Sequence, residues 1–199
     1  MQIYTRTGDH GTTRIIGGQS LFKDDIRMHA LGGLDELNSL VGICLCQQDT
    51  WDTLQTDLYT IQHYLFDCGN DVATPANKQA YKLEQSAVKW LEDRIDSYAS
   101  LPPETEYFIL PGGSALASHL HYLRTVTRRV ERDCVHFARH NDTNPIVLKF
   151  INRLSDYCFA AARLANYRLQ VVDIPYTATG KVFHPELNKN HLPDKKDEE

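Results

Sequence analysis

Residues 1–25 are rich in glycine, threonine and basic side chains, which are residue types that bind polyphosphates. Gly8 and Gly11 let backbone N–H groups approach an anion closely. Hydroxyl donors and positive charges accompany them, at Thr5, Arg6, Thr7, Thr12, Thr13, Arg14 and Lys23. The segment has neither the Walker A pattern nor the G-x-G-x-x-G dinucleotide pattern. A polyphosphate cradle and a plain surface turn are both compatible with it.

A second candidate is a row of arginines on a predicted fourth helix. Arg124, Arg128 and Arg132 are four residues apart, which places them on one helix face. Arg129 lies beside them, and Glu131 follows Arg128 by three positions. Like charges at this spacing repel one another, so the row needs an external anion or acidic partners. Anion binding and pairing with carboxylates of a neighbouring helix both satisfy that need.

A third candidate is a stripe of polar and aromatic residues on a predicted fifth helix. Steps of four, three and four residues place four different groups on one face, at Asn152, Asp156, Phe159 and Arg163. In an otherwise apolar helix, such groups are costly to bury unless each has a hydrogen-bond partner. The stripe therefore indicates either a ligand-binding face or an interhelical network that sets the register of a bundle.

Other arrangements that could perform chemistry are weaker. His136 and His140 have the i,i+4 spacing of metal ligands, but no third ligand is evident, so no metal site made of clustered side chains is predicted. The E-x-x-H pair of di-iron bundles is absent. Asp35 and Glu36 are interpreted as a surface or interface pair. No Ser/His/Asp or Cys/His arrangement can be assigned from residue order alone.

Helical periodicity recurs five times and predicts the elements that must position these groups. The predicted helices span about 25–48, 51–71, 84–98, 114–140 and 144–172. Their expected caps are Asp24 or Asp25, then Ser114 after a Pro-Gly-Gly turn, and Asn144 before a proline. A short strand is expected at Gln2–Thr5.

These elements and their short connections predict one all-α domain, an antiparallel five-helix bundle of the ferritin-like, up-and-down type. The predicted division is an N-terminal loop at 1–25, the bundle at 26–172 and a C-terminal tail at 173–199. Gly32, Gly33 and Gly42 lie inside the first helix, where glycine lowers helix propensity and permits a neighbouring backbone to approach.

Composition excludes several classes of protein. The chain has 199 residues, of which 42% are hydrophobic, enough for one substantial core. Its formal net charge of −5 argues against a general nucleic-acid binder. Five cysteines without a C-x-x-C pair indicate free thiols in a reducing compartment. The sequence shows no secretory, transit or membrane-spanning pattern, so a cytoplasmic protein without membrane or nucleic-acid partners is expected.

Five segments, in this order, together resemble the PduO-type ATP:cob(I)alamin adenosyltransferases over about residues 2 to 185. The segments are Ile3–Gly11, Asp35–Asn38, Phe108–Gly113, Arg128–Arg132 and Asn152–Asp156. The resemblance implies a homotrimer of five-helix bundles with active sites between adjacent subunits. It implies that the 5′-deoxyadenosyl group of ATP is transferred to the cobalt of cob(I)alamin, giving adenosylcobalamin and triphosphate.

The resemblance also implies two sets of site residues. Those for ATP are Thr5, Arg6, Thr7, Gly8, Thr13, Arg14, Lys23, Arg128, Arg129, Glu131, Arg132 and Asn152. Those for the corrinoid are Asp35, Phe108, Arg124, Asp156, Phe159 and Phe183. Asp35 and Arg124 match positions that pair across the subunit interface. The expected catalytic residues are Arg128, Asn152 and Phe108.

The implied chemistry needs no side-chain nucleophile, because cob(I)alamin itself attacks C5′ of ATP. Mg²⁺, bound mainly through the ATP phosphates, and the basic residues would neutralise the leaving triphosphate. Phe108 would exclude a lower axial ligand, which makes Co(II) easier to reduce. A reductase and an adenosylcobalamin-dependent enzyme are expected partners.

Two alternatives to an enzyme use the same residues. One is a non-enzymatic corrinoid carrier gated by ATP, and the other is an ATP-binding regulatory helical bundle. Transfer of the adenosyl group to cobalt separates the enzyme from both. The motifs are compatible with several metabolic pathways and with association with a microcompartment.

Overall fold

The computed structural model describes residues 3–75 and 78–178, in which five helices follow a small hairpin. The helices are α1 (Ile26–Leu45), α2 (Asp52–Ala73), α3 (Gln85–Ala99), α4 (Ala115–Ala138) and α5 (Pro145–Arg168). α4 packs against both α1 and α5, while α2 covers α1 and α3 covers α5. The predicted all-α, five-helix bundle is confirmed. The predicted corrinoid residue Phe183 lies outside the described residues.

The core is built from the predicted apolar stripes. Their buried members are Ala30, Leu34, Leu37, Val41, Cys44, Leu54, Leu58, Ile61, Leu65, Cys68, Val88, Leu91, Ile151, Leu154, Cys158, Ala161 and Ala165. Ile26 and Ile95 are only partly buried. All five cysteines are free thiols, as predicted, and Cys46 is exposed. Burial raises the pKa of the Cys44 and Cys134 thiols to about 12, so they pack as neutral, apolar groups.

The N-terminal strand lies later in the chain than predicted. Residues 3–5 form no strand, whereas β1 (Thr12–Arg14) pairs antiparallel with β2 (Ser20–Phe22). The turn between them contains Gly17 and Gly18 with φ of 90° and 84°, the left-handed conformation that glycine adopts without steric cost. A strand requires a hydrogen-bonded neighbour, and this turn supplies one for residues 12–14.

The predicted helix starts are confirmed by capping bonds. Asp25 accepts a hydrogen bond from Arg27 N at 2.8 Å, and Ser114 accepts one from Ala117 N at 3.1 Å. Asn144 accepts one from Ile146 N at 3.0 Å, with proline following it. The predicted end of α5 near Val172 is wrong, because Gln170 adopts a left-handed φ of 57° directly after the helix.

One of the three glycines in α1 permits a close helix contact. A Cβ atom on Gly33 would lie 3.1 Å from Val130 Cγ2 of α4, closer than ordinary packing allows. A Cβ on Gly32 would meet nothing within 4 Å, so the prediction is wrong for that residue. A Cβ on Gly42 would be 3.7 Å from Gln62 Nε2, an ordinary contact.

Candidate active site

A half-open cavity of about 320 Å³ lies where the end of α3, the loop before α4, α4 and α5 meet. It is lined by Ile95, Ala99, Pro102, Phe108, Arg124, Asp156, Phe159, Ala160 and Arg163. Phe108 is 51% exposed, which leaves much of its ring outside the protein core. An aromatic ring displayed beside a cavity is typical of a surface that binds a flat, apolar ligand.

The Phe159 ring lies beside two side chains of α4. The Arg124 guanidinium carbon lies 5.6 Å from its centroid, and the His121 ring lies 6.2 Å from it, centroid to centroid. His121 is buried, and its Nε2 has no hydrogen-bond partner among the residues that the structure describes. Burial lowers the pKa of His121, Asp173 raises it and Arg124 lowers it. His121 therefore packs as a neutral ring, a role that its isolated position in the sequence did not indicate.

The polar stripe of α5 lies along the open side of that helix. Asn152 and Asp156 are exposed, while Phe159 and Arg163 are partly buried. Asn152 Nδ2 donates to Glu131 Oε1 of α4 at 2.8 Å. Arg163 instead bonds to the protein, through Asp173 and the Pro103 carbonyl. Hydrogen bonds to other parts of the chain are therefore present at both Asn152 and Arg163, while the surface at Asn152 and Asp156 is exposed.

The arginine row of α4 divides into paired and unpaired members. Arg129 forms ion pairs with Asp133 at 3.0 Å and with Glu36 of α1. Arg128 and Arg132 are exposed, and Arg132 donates to the Arg128 carbonyl at 2.9 Å. Within the described ranges, neither guanidinium has an acidic partner. These two side chains remain available to an anion such as a phosphate.

The N-terminal loop places a lysine beside a glycine. A Cβ atom on Gly8 would lie 3.1 Å from Lys23 Nζ, so the lysine ammonium packs closely against this glycine. Lys23 N also donates to the Gly11 carbonyl at 2.9 Å. Thr5 Oγ1 and Thr7 Oγ1 are 2.8 Å apart, on either side of Arg6, whose φ of 62° is left-handed. Thr13 and Arg14 lie in β1.

This loop and the arginine row occupy separate parts of one chain. Ile16 of the loop lines a cavity of about 400 Å³ with Asp35 of α1 and residues of α2. In the part of the chain that the structure describes, no hydrogen bond or ion pair joins residues 3–25 to α4 or α5. Asp35 and Arg124 likewise form no ion pair within those residues.

The loop that carries Phe108 is held by a segment that the sequence analysis assigned to the tail. Tyr176 N donates to the Phe108 carbonyl at 2.6 Å, and Leu110 N donates to the Ile174 carbonyl at 2.8 Å. The apolar alternation of Val172 and Ile174 is a strand signal that could have indicated this pairing.

Over residues 3–75 and 78–178, no group of three or more His, Cys, Asp or Glu side chains could hold a metal ion. The rings of His136 and His140 lie 5.4 Å apart, centroid to centroid. In the same ranges, none of the helices has both the length and the apolar character to cross a membrane.

Comparisons with known proteins agree along most of the chain. A sequence model of one family, described as cobalamin adenosyltransferase, matches residues 3–165. The corrinoid adenosyltransferase of Bacillus subtilis (strain 168) is 46% identical over 186 residues, covering 92% of this chain and 96% of that protein. These similarities confirm the resemblance inferred from the five motifs.

Solved structures give the same result. A variant PduO-type ATP:corrinoid adenosyltransferase from Lactobacillus reuteri, complexed with cobalamin and ATP, superposes with a TM-score of 0.88 at 49% identity. The match covers 92% of this chain and 100% of that one. Another variant from the same organism, complexed with ATP, has a TM-score of 0.83 at 50% identity and covers 87% and 99% of the two chains.

Proposed function

Because the chain belongs to the cobalamin adenosyltransferase family, we propose that it transfers the 5′-deoxyadenosyl group of ATP to the cobalt of cob(I)alamin. One observation carries this proposal beyond family membership. Arg128 and Asn152, which suit a polyphosphate, lie one helical turn from Arg124 and Asp156, which line the aromatic cavity. A triphosphate bound at the first pair and a corrin ring at the second would therefore be in contact.

The reaction is an in-line displacement at C5′ of ATP. The electron pair of Co(I) forms the Co–C bond while the C5′–O bond breaks, and the pair from that bond leaves with triphosphate. The protein need not supply a nucleophile, so its residues contribute by holding the two substrates at attack distance. Arg128 and Arg132, exposed and without acidic partners among the described residues, neutralise charge on the leaving triphosphate.

Mg²⁺ fits this site as an ion carried by the nucleotide. The described residues contain no cluster of three side chains that could hold a metal ion. Mg²⁺ keeps several waters and commonly binds through substrate phosphates, with one or two carboxylates from the protein. Glu131, which accepts a hydrogen bond from Asn152, lies between Arg128 and Arg132 in the sequence of α4 and could supply such a carboxylate to the phosphate patch that these two arginines form. When bound, Mg²⁺ would further neutralise the triphosphate.

Phe108 and Phe159 provide the corrinoid side of the site. An apolar ring against the lower face of the corrin excludes water and other axial ligands from cobalt. Co(II) without an axial ligand accepts an electron more readily, because no ligand donates electron density to it. We expect a separate reductase to supply that electron and an adenosylcobalamin-dependent enzyme to use the product.

The complete site requires a second subunit in this proposal. The basic N-terminal loop and the arginine row are not bonded to each other within residues 3–75 and 78–178, although both suit the same triphosphate. In a homotrimer, the loop of one subunit would meet α4 of the next, and Asp35 would pair with Arg124 across that interface. Closed cyclic symmetry would then give three equivalent sites.

The function is tested by an anaerobic assay with ATP, Mg²⁺ and chemically reduced cob(I)alamin. We expect the visible spectrum of light-sensitive adenosylcobalamin to appear only when ATP is present. Arg128→Ala should lower turnover by about a hundredfold or more, because it removes a charge that stabilises the leaving group. Arg139→Ala, at the exposed end of α4, is the matched control and should retain wild-type turnover.

The alternatives predict different results in the same assay. Corrinoid binding and ATP-dependent release without formation of a Co–C bond would support a carrier. ATP binding without any dependence on corrinoid would support a regulatory bundle. Wild-type turnover by Arg128→Ala would contradict the assignment of the phosphate patch.

A further inference from the structure

We infer that Arg163, Asn166 and Asp173 form a polar clamp that holds the Phe108 loop against α5, and that these three act as positioning residues for corrinoid reduction. The inference rests on the proposed function and extends it to residues outside both predicted binding sets, although Arg163 belongs to the α5 stripe. The clamp is assembled from hydrogen bonds at both ends of the segment that contains Phe108.

Asn166 holds the C-terminal side of the Phe108 loop. It is 2% exposed and lies near the end of α5. Its Oδ1 accepts a hydrogen bond from Ser114 N at 2.9 Å, and its Nδ2 donates to the Gly112 carbonyl at 3.0 Å. A Cβ on Gly113 would lie 2.4 Å from this amide, so a side chain at this position would clash with Asn166 unless one of the two moved.

Arg163 and Asp173 hold the N-terminal side. Arg163 donates through its terminal nitrogen to the Pro103 carbonyl at 2.5 Å, and through Nε to Asp173 Oδ2 at 3.1 Å. The other carboxylate oxygen of Asp173 accepts from Asn166 Nδ2 at 3.0 Å. The Arg163 and Asp173 side chains are only 13% and 17% exposed, so this charged pair is largely shielded from water. Asp173 therefore links Arg163 and Asn166 into one hydrogen-bond network.

The chain that follows Asp173 completes the clamp at Phe108 itself. Residues 174–176 run antiparallel to residues 108–110, with Ile109 opposite Pro175. The Phe108 carbonyl accepts from Tyr176 N at 2.6 Å. The Phe108 side chain is half-exposed and lines the cavity, and these backbone bonds fix the position from which its ring extends.

The position of this ring matters most in the reduction step. If the ring withdraws from the corrin, a water molecule or another ligand can reach the lower face of Co(II), and reduction becomes harder. Attack by Co(I) that is already reduced does not depend on excluding that ligand to the same extent. A loosened clamp should therefore slow turnover from cob(II)alamin more than turnover from cob(I)alamin.

Asp173→Asn tests the clamp, because the amide replaces one of the two acceptor oxygens with an NH2 group that faces the donor of either Arg163 or Asn166. Asp93→Asn, on the exposed face of α3, is the matched control. Three quantities are measured: the four-coordinate fraction of bound cob(II)alamin with ATP, turnover from cob(II)alamin with a chemical reductant, and turnover from pre-reduced cob(I)alamin.

For Asp173→Asn, we expect loss of the four-coordinate spectrum and a fall of about tenfold or more in turnover from cob(II)alamin. Turnover from cob(I)alamin should fall by less than about threefold, with the KM for ATP unchanged. The Asp93→Asn control should match the wild type in all three measurements.

A second pair of variants covers the case in which Asp173→Asn does not fold. Tyr176→Pro removes the N–H group that donates to the Phe108 carbonyl, whereas Tyr176→Ala removes the side chain and keeps that N–H. The proline variant should reproduce the selective loss, and the alanine variant should not.

Two outcomes would overturn the inference. One is a wild-type four-coordinate spectrum in both Asp173→Asn and Tyr176→Pro. The other is an equal fall in turnover from both cobalt oxidation states, which would indicate a purely structural role. A wild-type protein that binds four-coordinate cob(II)alamin but makes no adenosylcobalamin would contradict the proposed function while leaving the clamp supported.

Discussion

Single buried residues connect the helices of this bundle, and Asp57 of α2 is the clearest case. Its Oδ2 atom accepts hydrogen bonds from Arg94 Nε at 2.9 Å, Tyr98 OH at 2.7 Å and Tyr157 OH at 3.3 Å. The donors come from α3 and α5, so one carboxylate oxygen joins three helices. A buried charge of this kind is stabilised only while its donors remain in place.

Tyr98 in this network should make the free energy of unfolding vary with pH in the alkaline range. Burial, with the bond to Asp57 next in size, raises the pKa of Tyr98 to about 12 from 10.0. The unfolded chain therefore loses this proton first, and the free energy of unfolding should fall as pH rises from 10 to 12. Tyr98→Phe should lower stability by about 1 kcal/mol at neutral pH and reduce the alkaline loss.

Urea denaturation across this pH range measures both effects. Tyr59→Phe removes a hydroxyl from an exposed tyrosine on α2 and is the matched control. It should leave stability and its pH dependence unchanged. An alkaline loss in Tyr98→Phe as large as in the wild type would contradict the assignment to Tyr98.

At the scale of the elements, two helix caps of different kinds can be compared. Ser114 caps α4 with one hydrogen bond, from Ala117 N. Asn144 caps α5 and also donates to Asp71 Oδ2 at 2.7 Å and to the Leu83 carbonyl at 2.8 Å. The second cap therefore also ties α5 to α2 and to the connection before α3.

Replacing the two caps should have unequal effects. We expect Ser114→Ala to lower the free energy of unfolding by about 1 kcal/mol, the usual value of a cap. Asn144→Ala should lower it by about 2–4 kcal/mol, because it also leaves two buried acceptors without this donor. Asn144→Ser keeps a capping oxygen, so its loss in free energy of unfolding should lie between those of Ser114→Ala and Asn144→Ala. Equal losses in chemical denaturation would mean that the bonds to Asp71 and Leu83 contribute nothing.

Neighbouring glycines test how closely α1 and α4 pack. Leucine at either position gains the same helix propensity over glycine, about 0.8 kcal/mol, so the difference between the variants isolates the contact with Val130. Gly33→Leu should be destabilised by about 1–3 kcal/mol relative to Gly32→Leu, because its side chain has no room against Val130. Equal melting temperatures for the two variants would show that α1 and α4 can accommodate the side chain at position 33 without loss of stability.

At the scale of the whole molecule, the proposed homotrimer, with each site shared between two subunits, predicts subunit complementation. Lys23→Ala and Arg128→Ala should each be nearly inactive alone. In a mixed trimer, the intact loop of one subunit can meet the intact α4 of its neighbour. Random assembly of equal amounts should restore about a quarter of all sites, and each trimer that contains both variants should have one active site of three.

Complementation is measured by co-expressing the two variants with different tags and purifying trimers that carry both. The control is the same two variants expressed separately and mixed just before the assay, which should stay inactive. Mixed trimers without activity would indicate that each site is contained in one subunit.

Local sequence was sufficient for most of the fold. The apolar stripes, the capping residues and the start of each helix depend on interactions within a few positions, and the structure confirms them. The expected strand near the N-terminus was wrong because a strand needs a pairing partner, and the expected end of α5 was wrong because Gln170 adopts a left-handed conformation directly after the helix. Strand pairing and helix termination are decided by partners that local patterns do not identify.

For the site, the sequence by itself identified the residue types suited to a polyphosphate and the aromatic residues beside them. It could not determine which arginines are paired. Arg129 is paired with Glu36, whose position is far from it in the sequence, while Arg128 has no acidic partner in the described chain. The clamp could not be predicted from local sequence either, because Asn166 and Ser114, which share a hydrogen bond, are 52 positions apart in the chain. Only the tertiary structure brings such residues together, since helix packing determines which polar groups lie within hydrogen-bonding distance.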